Sequence, residues 1–216
     1  MNRCIRRAML VPCFVAAGCS SMATHAPNAP LSPVRTASTA TLTAPSASIS
    51  RGGDPDQRFS AALKLMRDHQ SQEAQAALLA LARDFPGFSG PLTDLGILYA
   101  QGHQRTQAIA GLTKAVAANP RNAVAWNWLG SLYRESSDDL HAEQSYLQAL
   151  AVRPDYAAAH LNLGILYEVS MKRPQDALYQ YREYLKTAGK EDLIVLAWIR
   201  QLESSSTTTV ASGTTP

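Results

Sequence analysis

The pentapeptide LGILY occurs twice in this chain, at residues 95–99 and 163–167, and LGSLY lies between them at 129–133. Each copy begins 34 residues after the one before. Self-similarity at a fixed period of about 20 to 50 residues is typical of architectures that stack one supersecondary unit on the next. The period therefore favours a solenoid, in which each unit contacts only its neighbours, over a domain with one central core.

The residues around each pentapeptide predict a pair of helices. In the block 123–156, four positions spaced i, i+3, i+4 and i+7 would share one helix face, and three later positions form the matching stripe of a second helix. Gly130 and Ala142 have little or no side chain, so they mark where the two helices approach closely. The periodic residues of this block are Trp126, Leu129, Gly130, Tyr133, Ala142, Tyr146, Ala149 and Pro154.

Each predicted helix pair ends at a proline. Pro86, Pro120 and Pro154 stand 34 residues apart, and proline cannot continue a helix because it lacks the amide donor and clashes with the preceding turn. Asn122 and Asp155 follow two of them, and both residue types are suited to cap the next helix. The proline and the cap together predict the turn that starts each new pair.

These residues and intervals resemble the tetratricopeptide repeat, whose pattern is W-x2-L-G-x2-Y followed by A, an aromatic residue, A and P. The resemblance covers Pro55 to about Lys190. It implies an all-α fold: a solenoid, wound as a right-handed superhelix, of about four helical hairpins and a C-terminal closing helix. We expect repeats at 55–88, 89–122, 123–156 and 157–190, and the closing helix at 191–203.

The sequence departs from the pattern in one expected loop and at two single positions. In the last block the second helix starts one residue late, so residues 172–174 are expected to form a loop one residue longer than its equivalents. His160 stands where the pattern has tryptophan, and we expect it to be a packed core residue and not a ligand. Arg58 stands at the same position of the first block, which suits a terminal repeat because one of its faces meets water.

The expected closing helix has its own apolar stripe, which would cover the last hairpin. Residues 204–216 are rich in Ser and Thr and are expected to form a disordered tail. The stripe consists of Leu193, Ile194, Ala197, Trp198 and Leu202.

The resemblance also implies a binding surface, because the first helix of each hairpin would line a concave groove that holds a peptide or helix of a partner protein. The groove positions have small, apolar and amide side chains with few charges, unlike the grooves of family members that clamp a carboxylate with several basic residues. A segment with apolar anchors is therefore the expected partner. The candidate groove residues are Thr93, Ile97, Asn127, Ser131, Arg134, Leu161, Asn162 and Ile165.

Residues 1–18 have the layout of an export signal. Three arginines precede an apolar stretch at 8–17, which is too short to span a bilayer as a helix. The tetrapeptide AAGC, ending at Cys19, resembles the lipobox of bacterial lipoproteins, in which the cysteine is acylated and becomes the first mature residue. The open alternative is ordinary cleavage after Ala23, which would give a soluble periplasmic protein.

The cysteines and the charge agree with an export signal. Cys4 and Cys13 would be removed with it, so Cys19 would be the only mature thiol and no intramolecular disulfide could form. The formal net charge of +3 would fall to zero with the three arginines, which leaves no electrostatic basis for binding nucleic acid. Residues 19–54, rich in Ala, Pro, Ser and Thr, are expected to form a disordered tether.

The sequence has none of the common catalytic motifs. A phosphate loop, G-x-S-x-G, H-E-x-x-H and a CxxC pair are all missing, and the histidines lack metal-ligand spacing. Asp138 and Asp139 are interpreted as a helix cap and a first-turn residue. We therefore expect no enzyme activity, no cofactor and no metal.

Two functions remain open at this point. The first is an outer-membrane lipoprotein that faces the periplasm and helps to assemble a pilus or secretion machine, similar to the pilotins and accessory lipoproteins of type IV or tight-adherence pili. The second is an adaptor that regulates peptidoglycan hydrolases or envelope proteases, and it could act as a homodimer built through the terminal helices. Both need a protein partner.

Overall fold

The computed structural model describes residues 53–189 and 191–211, with side chains up to residue 205. No strand occurs in these ranges, which confirms the predicted all-α class. The predicted signal peptide, Cys19 and residues 20–52 lie outside the described residues. The helices are α1 (Pro55–Arg67), α2 (Ser71–Asp84), α3 (Ser89–Gln101), α4 (Arg105–Ala118), α5 (Ala123–Glu135), α6 (Asp139–Val152), α7 (Ala157–Ile165), α8 (Pro174–Thr187) and α9 (Leu193–Ala211).

Consecutive helices pair as hairpins, and the hairpins stack in chain order. α1 packs on α2, α3 on α4, α5 on α6 and α7 on α8. Each hairpin meets the next through its second helix, by the contacts of α2 with α3, α4 with α5 and α6 with α7, and α9 packs on α8. Contacts that join only neighbouring units are the property that defines a solenoid.

The buried core is divided in the same way. One cluster joins the first hairpin to α3 through Leu78, Leu81 and Leu95, and a second joins α4 to α5. A third cluster, which includes Tyr146 and Tyr181, joins the last two hairpins and α9. The apolar stripes of the sequence therefore bury their surface between adjacent helices and not in a common centre.

Within each of the last three hairpins, a glycine sets the distance between the two helices. A Cβ atom added at Gly130 would lie 2.6 Å from the ring of Tyr146, and one at Gly164 would lie 2.6 Å from the ring of Tyr181. At Gly96 the nearest atom would be Cγ of Leu112, also at 2.6 Å. Real Cβ atoms do not tolerate such contacts, so the close approach expected at Gly130 is confirmed.

His160 makes the same hydrogen bond as the tryptophan that occupies its position in the preceding repeat. Trp126 Nε1 donates to the carbonyl of Pro120 at 2.9 Å, and His160 Nε2 donates to the carbonyl of Pro154 at 2.8 Å. The second ring nitrogen of His160 lies 2.7 Å from the side-chain amide of Gln180, and the residue is 6% exposed. His160 is therefore a packed residue with both nitrogens engaged, as predicted.

The extra residue of the fourth hairpin does not lie in its loop. All four hairpins have a three-residue loop whose middle residue has a positive φ near 57°, at His69, His103, Ser137 and Lys172. The extra residue is instead absorbed by a π-helical turn, Leu166–Ser170, that follows α7. The prediction of a longer loop is wrong, because the shared loop geometry is kept and the wider helical turn takes up the insertion.

Two of the predicted caps are confirmed and one is wrong. The side chain of Asn122 accepts from the backbone N–H of Ala125, and that of Asp138 accepts from His141 N–H. The N-cap of α7 is Tyr156, without a side-chain bond, and Asp155 lies one residue too early. Asp155 occupies the loop position that follows Pro154, so its carboxylate does not meet the first turn.

The predicted stripe of the closing helix is confirmed in part. Leu202 is buried and Trp198 packs against the core, as predicted, whereas Leu193 and Ile194 are 74% and 64% exposed and Val195 and Ile199 are buried instead. The cause is a cap that precedes the helix: Asp192 accepts from the N–H groups of residues 194 and 195, and its second oxygen accepts from the hydroxyl of Tyr184. Because Asp192 fixes the start of α9 against Tyr184, the side chain of Val195 faces the core.

The closing helix also extends beyond its expected end at residue 203. It continues to Ala211, into the segment expected to be disordered. Ser204 and Ser205 donate from their hydroxyls to carbonyls of the preceding turn at 2.9 Å, so these polar residues are compatible with the helix. Residues 212–216 lie outside the described residues.

Candidate partner-binding face

One side of the stack is formed by the first helices of the hairpins. α3 contacts α5 and α5 contacts α7, whereas no contact of comparable extent joins α4 to α6 within the described residues. We call the exposed sides of α3, α5 and α7 the inner face.

Helix geometry identifies which side chains reach the inner face. On α3, Leu92 and Gly96 face α4, because a Cβ at Gly96 would meet Leu112. Successive residues are rotated by about 100° around a helix, so Asp94 projects about 200° from Leu92, on the opposite side. Asp94 and Ile97 are both half-buried. The 34-residue period gives the same orientation to the equivalent residues of α5 and α7.

Two of the predicted groove residues are buried between neighbouring hairpins. Thr93 and Asn127 are 5% and 7% exposed. The amide of Asn122 donates to Thr93 Oγ1 at 2.8 Å, and the amide of Asn162 donates to Asn127 Oδ1 at 3.0 Å. These bonds connect α3 to the start of α5 and α5 to α7. Thr93 and Asn127 therefore hold adjacent repeats together and present little surface to a partner.

The other predicted groove residues are partly accessible. Ile97, Leu161, Asn162 and Ile165 are all half-buried, and three of them are aliphatic. Leu161 and Ile165 also pack against the core cluster of the last two hairpins, so only part of each side chain is available. They provide a mainly apolar surface along the first helices, with the Asn162 amide beside it. This combination suits the apolar side chains and the backbone of a bound segment.

Ser131 and Arg134 are tied to the tip of a core tyrosine. The hydroxyl of Tyr146 donates to Ser131 Oγ at 3.2 Å, and Arg134 interacts with the same tyrosine. Burial raises the pKa of Tyr146, so it remains a neutral donor. Arg134 Nε is buried and has no hydrogen-bond partner among the described residues. Both predicted residues therefore lie at the boundary between the core and the inner face.

Sequence reasoning missed two residues of the inner face, Asp94 and Trp128. They occupy the position equivalent to Asn162, since the three are separated by the 34-residue period. That periodicity was the signal that could have found them. Trp128 is half-buried and packs against the core cluster between the second and third hairpins.

Asp94 has an unusual environment for a carboxylate. It is half-buried and makes no hydrogen bond or ion pair with another described residue. Burial raises the pKa of Asp94 from 3.8 to about 6, because removing water penalises the charged form. The carboxylate therefore lacks the partner that a buried charge normally has.

The opposite side of the stack has an open cleft of about 650 Å³ between α4 and α6. Its floor is aromatic, with Trp126 and Tyr133 from α5, and its rim includes Leu147, which is 44% exposed. The ring of His141 lies 5.2 Å from that of Tyr133. The cleft lies where α4 and α6 are separated from each other.

The described residues contain no group of three His, Cys, Asp or Glu side chains that could hold a metal ion. None of their helices combines the length and the apolar character that crossing a membrane requires.

The tetratricopeptide repeat family matches residues 93–139 and 141–192. No curated protein matches the chain by sequence.

Several solved structures resemble the chain in fold. MamA (residues 41 to the end) from Desulfovibrio magneticus RS-1 has 17% identity and a TM-score of 0.62, covering 76% of this chain and 92% of that one. Pseudomonas aeruginosa pilF has 20% identity and a TM-score of 0.63, covering 72% and 70%. TTC0263, a thermophilic TPR protein of Thermus thermophilus, has 27% identity and a TM-score of 0.56, covering 69% and 81%.

Proposed function

We propose that this chain is a scaffold that binds a protein segment on its inner face. The proposal is supported by the match of residues 93–139 and 141–192 to the tetratricopeptide repeat family, whose members generally mediate protein–protein interactions. The observation that carries the proposal is the line of half-buried aliphatic residues along the first helices, Ile97, Leu161 and Ile165. Their side chains would anchor the segment.

The amide of Asn162 can add specificity to the apolar contacts of the inner face. Asn162 presents an amide that is fixed by its bond to Asn127, so it is pre-organised to bond to the backbone of a bound segment. Thr93 and Asn127 support this surface from beneath, since they connect neighbouring repeats. A rigid surface of this kind lowers the ordering cost of binding.

We place the scaffold at the outer membrane, facing the periplasm, where it assists assembly of a pilus or secretion machine. The lipobox-like sequence ending at Cys19 supports a lipid anchor, and the Ala/Pro/Ser/Thr-rich segment 20–54 supports a flexible spacer. The likeness in fold to pilF is compatible with this role. The role itself rests on the sequence features and on the inner face.

Crosslinking in intact cells, followed by pull-down and mass spectrometry, tests the scaffold. Leu161→Glu places a charge on the inner face, and Leu147→Glu is the control on the outer side of α6. Because Leu161 also packs against the core, circular dichroism first establishes that Leu161→Glu is folded. We expect pilus or secretion proteins with the native chain and the control, and their loss with Leu161→Glu. Partners that persist with Leu161→Glu would exclude the inner face, and cell-wall hydrolases as partners would favour the adaptor function instead.

The lipid anchor has a separate test. Replacing Cys19→Ser removes the acceptor for acylation, so the protein should move from the membrane fraction to the soluble periplasmic fraction. Cell fractionation and immunoblotting measure the change. An unchanged membrane fraction would contradict lipidation at Cys19, and it would leave the test of the inner face unaffected.

A further inference from the structure

The carboxylate of Asp94 is a charge without a counter-charge on an otherwise mostly neutral surface. The described residues give it no hydrogen bond and no ion pair. Glu168, another half-buried carboxylate on the first helices, differs because it accepts a hydrogen bond from the Tyr181 hydroxyl at 2.8 Å. Leaving a half-buried carboxylate unpaired destabilises the free protein, and a cation from a partner would remove that penalty.

Trp128 lies on α5, the first helix that α3 contacts, and the repeat period puts it close to Asp94. The bond between Asn127 and Asn162 shows that a residue of one first helix meets the residue 35 positions later on the next. The same relation places Thr93 against Trp128, with Asp94 the next residue along α3. Since Trp128 is half-buried, part of its indole is accessible. An indole face attracts a cation in addition to any carboxylate beside it.

We propose that Asp94 and Trp128 form a recognition site for a basic side chain, lysine or arginine, of the segment bound on the inner face. The inference rests on the proposed function and deepens it, because it names a required residue of the partner. The ammonium or guanidinium group donates to the Asp94 carboxylate, and the stem of the same side chain lies against the indole.

Charge complementarity favours a basic partner residue over a neutral one. A neutral donor such as a serine hydroxyl would satisfy one oxygen but leave the charge uncompensated, whereas a cation compensates the charge and also interacts with Trp128. The remaining inner-face contacts are apolar, at Ile97, Leu161 and Ile165. The expected segment therefore combines one basic residue with several apolar residues.

Selection from a phage library of random 12-residue peptides tests the inference, with the full chain immobilised. Peptides selected by the native chain should share a lysine or arginine at one fixed place relative to apolar residues. Selection with Asp94→Asn should keep the apolar preference and lose the basic residue. Asp155→Asn, which removes an exposed carboxylate in the loop before α7, is the matched control and should select the same peptides as the native chain.

Binding of one selected peptide then gives the strength of the contact. Replacing its basic residue by norleucine should weaken binding to the native chain about 5- to 10-fold and to Asp94→Asn less than about 2-fold, as expected for a direct pair in a double-mutant cycle. Basic residues that are absent, or equally enriched with Asp94→Asn, would overturn the inference alone. Peptides that bind Leu161→Glu as well as the native chain would overturn the proposed function too.

Discussion

Gly130 has no Cβ atom, and the Cβ of any other residue at this position would lie 2.6 Å from the ring of Tyr146. Gly130→Ala should lower the free energy of unfolding by about 1 to 3 kcal/mol through overpacking, although alanine has the better helix propensity by about 1 kcal/mol. Gly87→Ala is the control, because nothing lies within 4 Å of a Cβ there. Urea unfolding measures both, and equal stabilities of the two variants would contradict the tight contact.

Asp94 should make stability depend on pH. Its pKa is raised to about 6 in the folded chain from 3.8, so its favourable contribution is complete below about pH 3.8 and is lost as the pH rises through 6. Asp94→Asn should therefore stabilise the chain at pH 7, by about 1 kcal/mol after allowance for solvent screening, and by much less at pH 4. Urea unfolding at both values tests this, and a gain that is the same at both would contradict it.

At the scale of a helix, the start of the closing element has two candidate faces: the predicted one, with Leu193 and Ile194, and the one it buries, with Val195 and Ile199. Val195 is 1% exposed and Leu193 is 74% exposed. Val195→Ala should cost about 1 to 2 kcal/mol because it leaves a cavity against α8, whereas Leu193→Ala should cost less than about 0.5 kcal/mol. Thermal unfolding of the two variants decides between the faces, and the reverse order would restore the predicted stripe.

Some elements could be predicted from the sequence because their cause is local. The 34-residue period, the small residues at Gly130 and Ala142 and the cap at Asn122 each depend on neighbouring residues alone. The face of α9 could not be predicted in this way, because it depends on the bond from Tyr184 to Asp192. The π-helical turn of residues 166–170 also escaped prediction, since an insertion can be taken up by a loop or by a helix.

At the scale of the whole molecule, repetition determines the binding surface. Three first helices with the same orientation place equivalent residues in rows, so Asp94, Trp128 and Asn162 share one row. The sequence predicted that these helices form a groove, but it did not separate residues that bind neighbouring repeats, such as Thr93 and Asn127, from residues that face outward. Which residues face a neighbouring repeat depends on the distance between adjacent hairpins. The spacing of residues along one repeat gives no information about that distance.

The most direct test of the inner face is site-specific photo-crosslinking in cells. The photoreactive residue benzoylphenylalanine is placed at Ile97 or Ile165 on the inner face, and at Leu79 or Leu147 on the outer sides of α2 and α6, where these leucines are 39% and 44% exposed. We expect a partner protein to be crosslinked from the inner positions and not from the outer ones. Crosslinks that form only from Leu79 or Leu147 would contradict the inner face as the binding surface and would place the partner on the second helices.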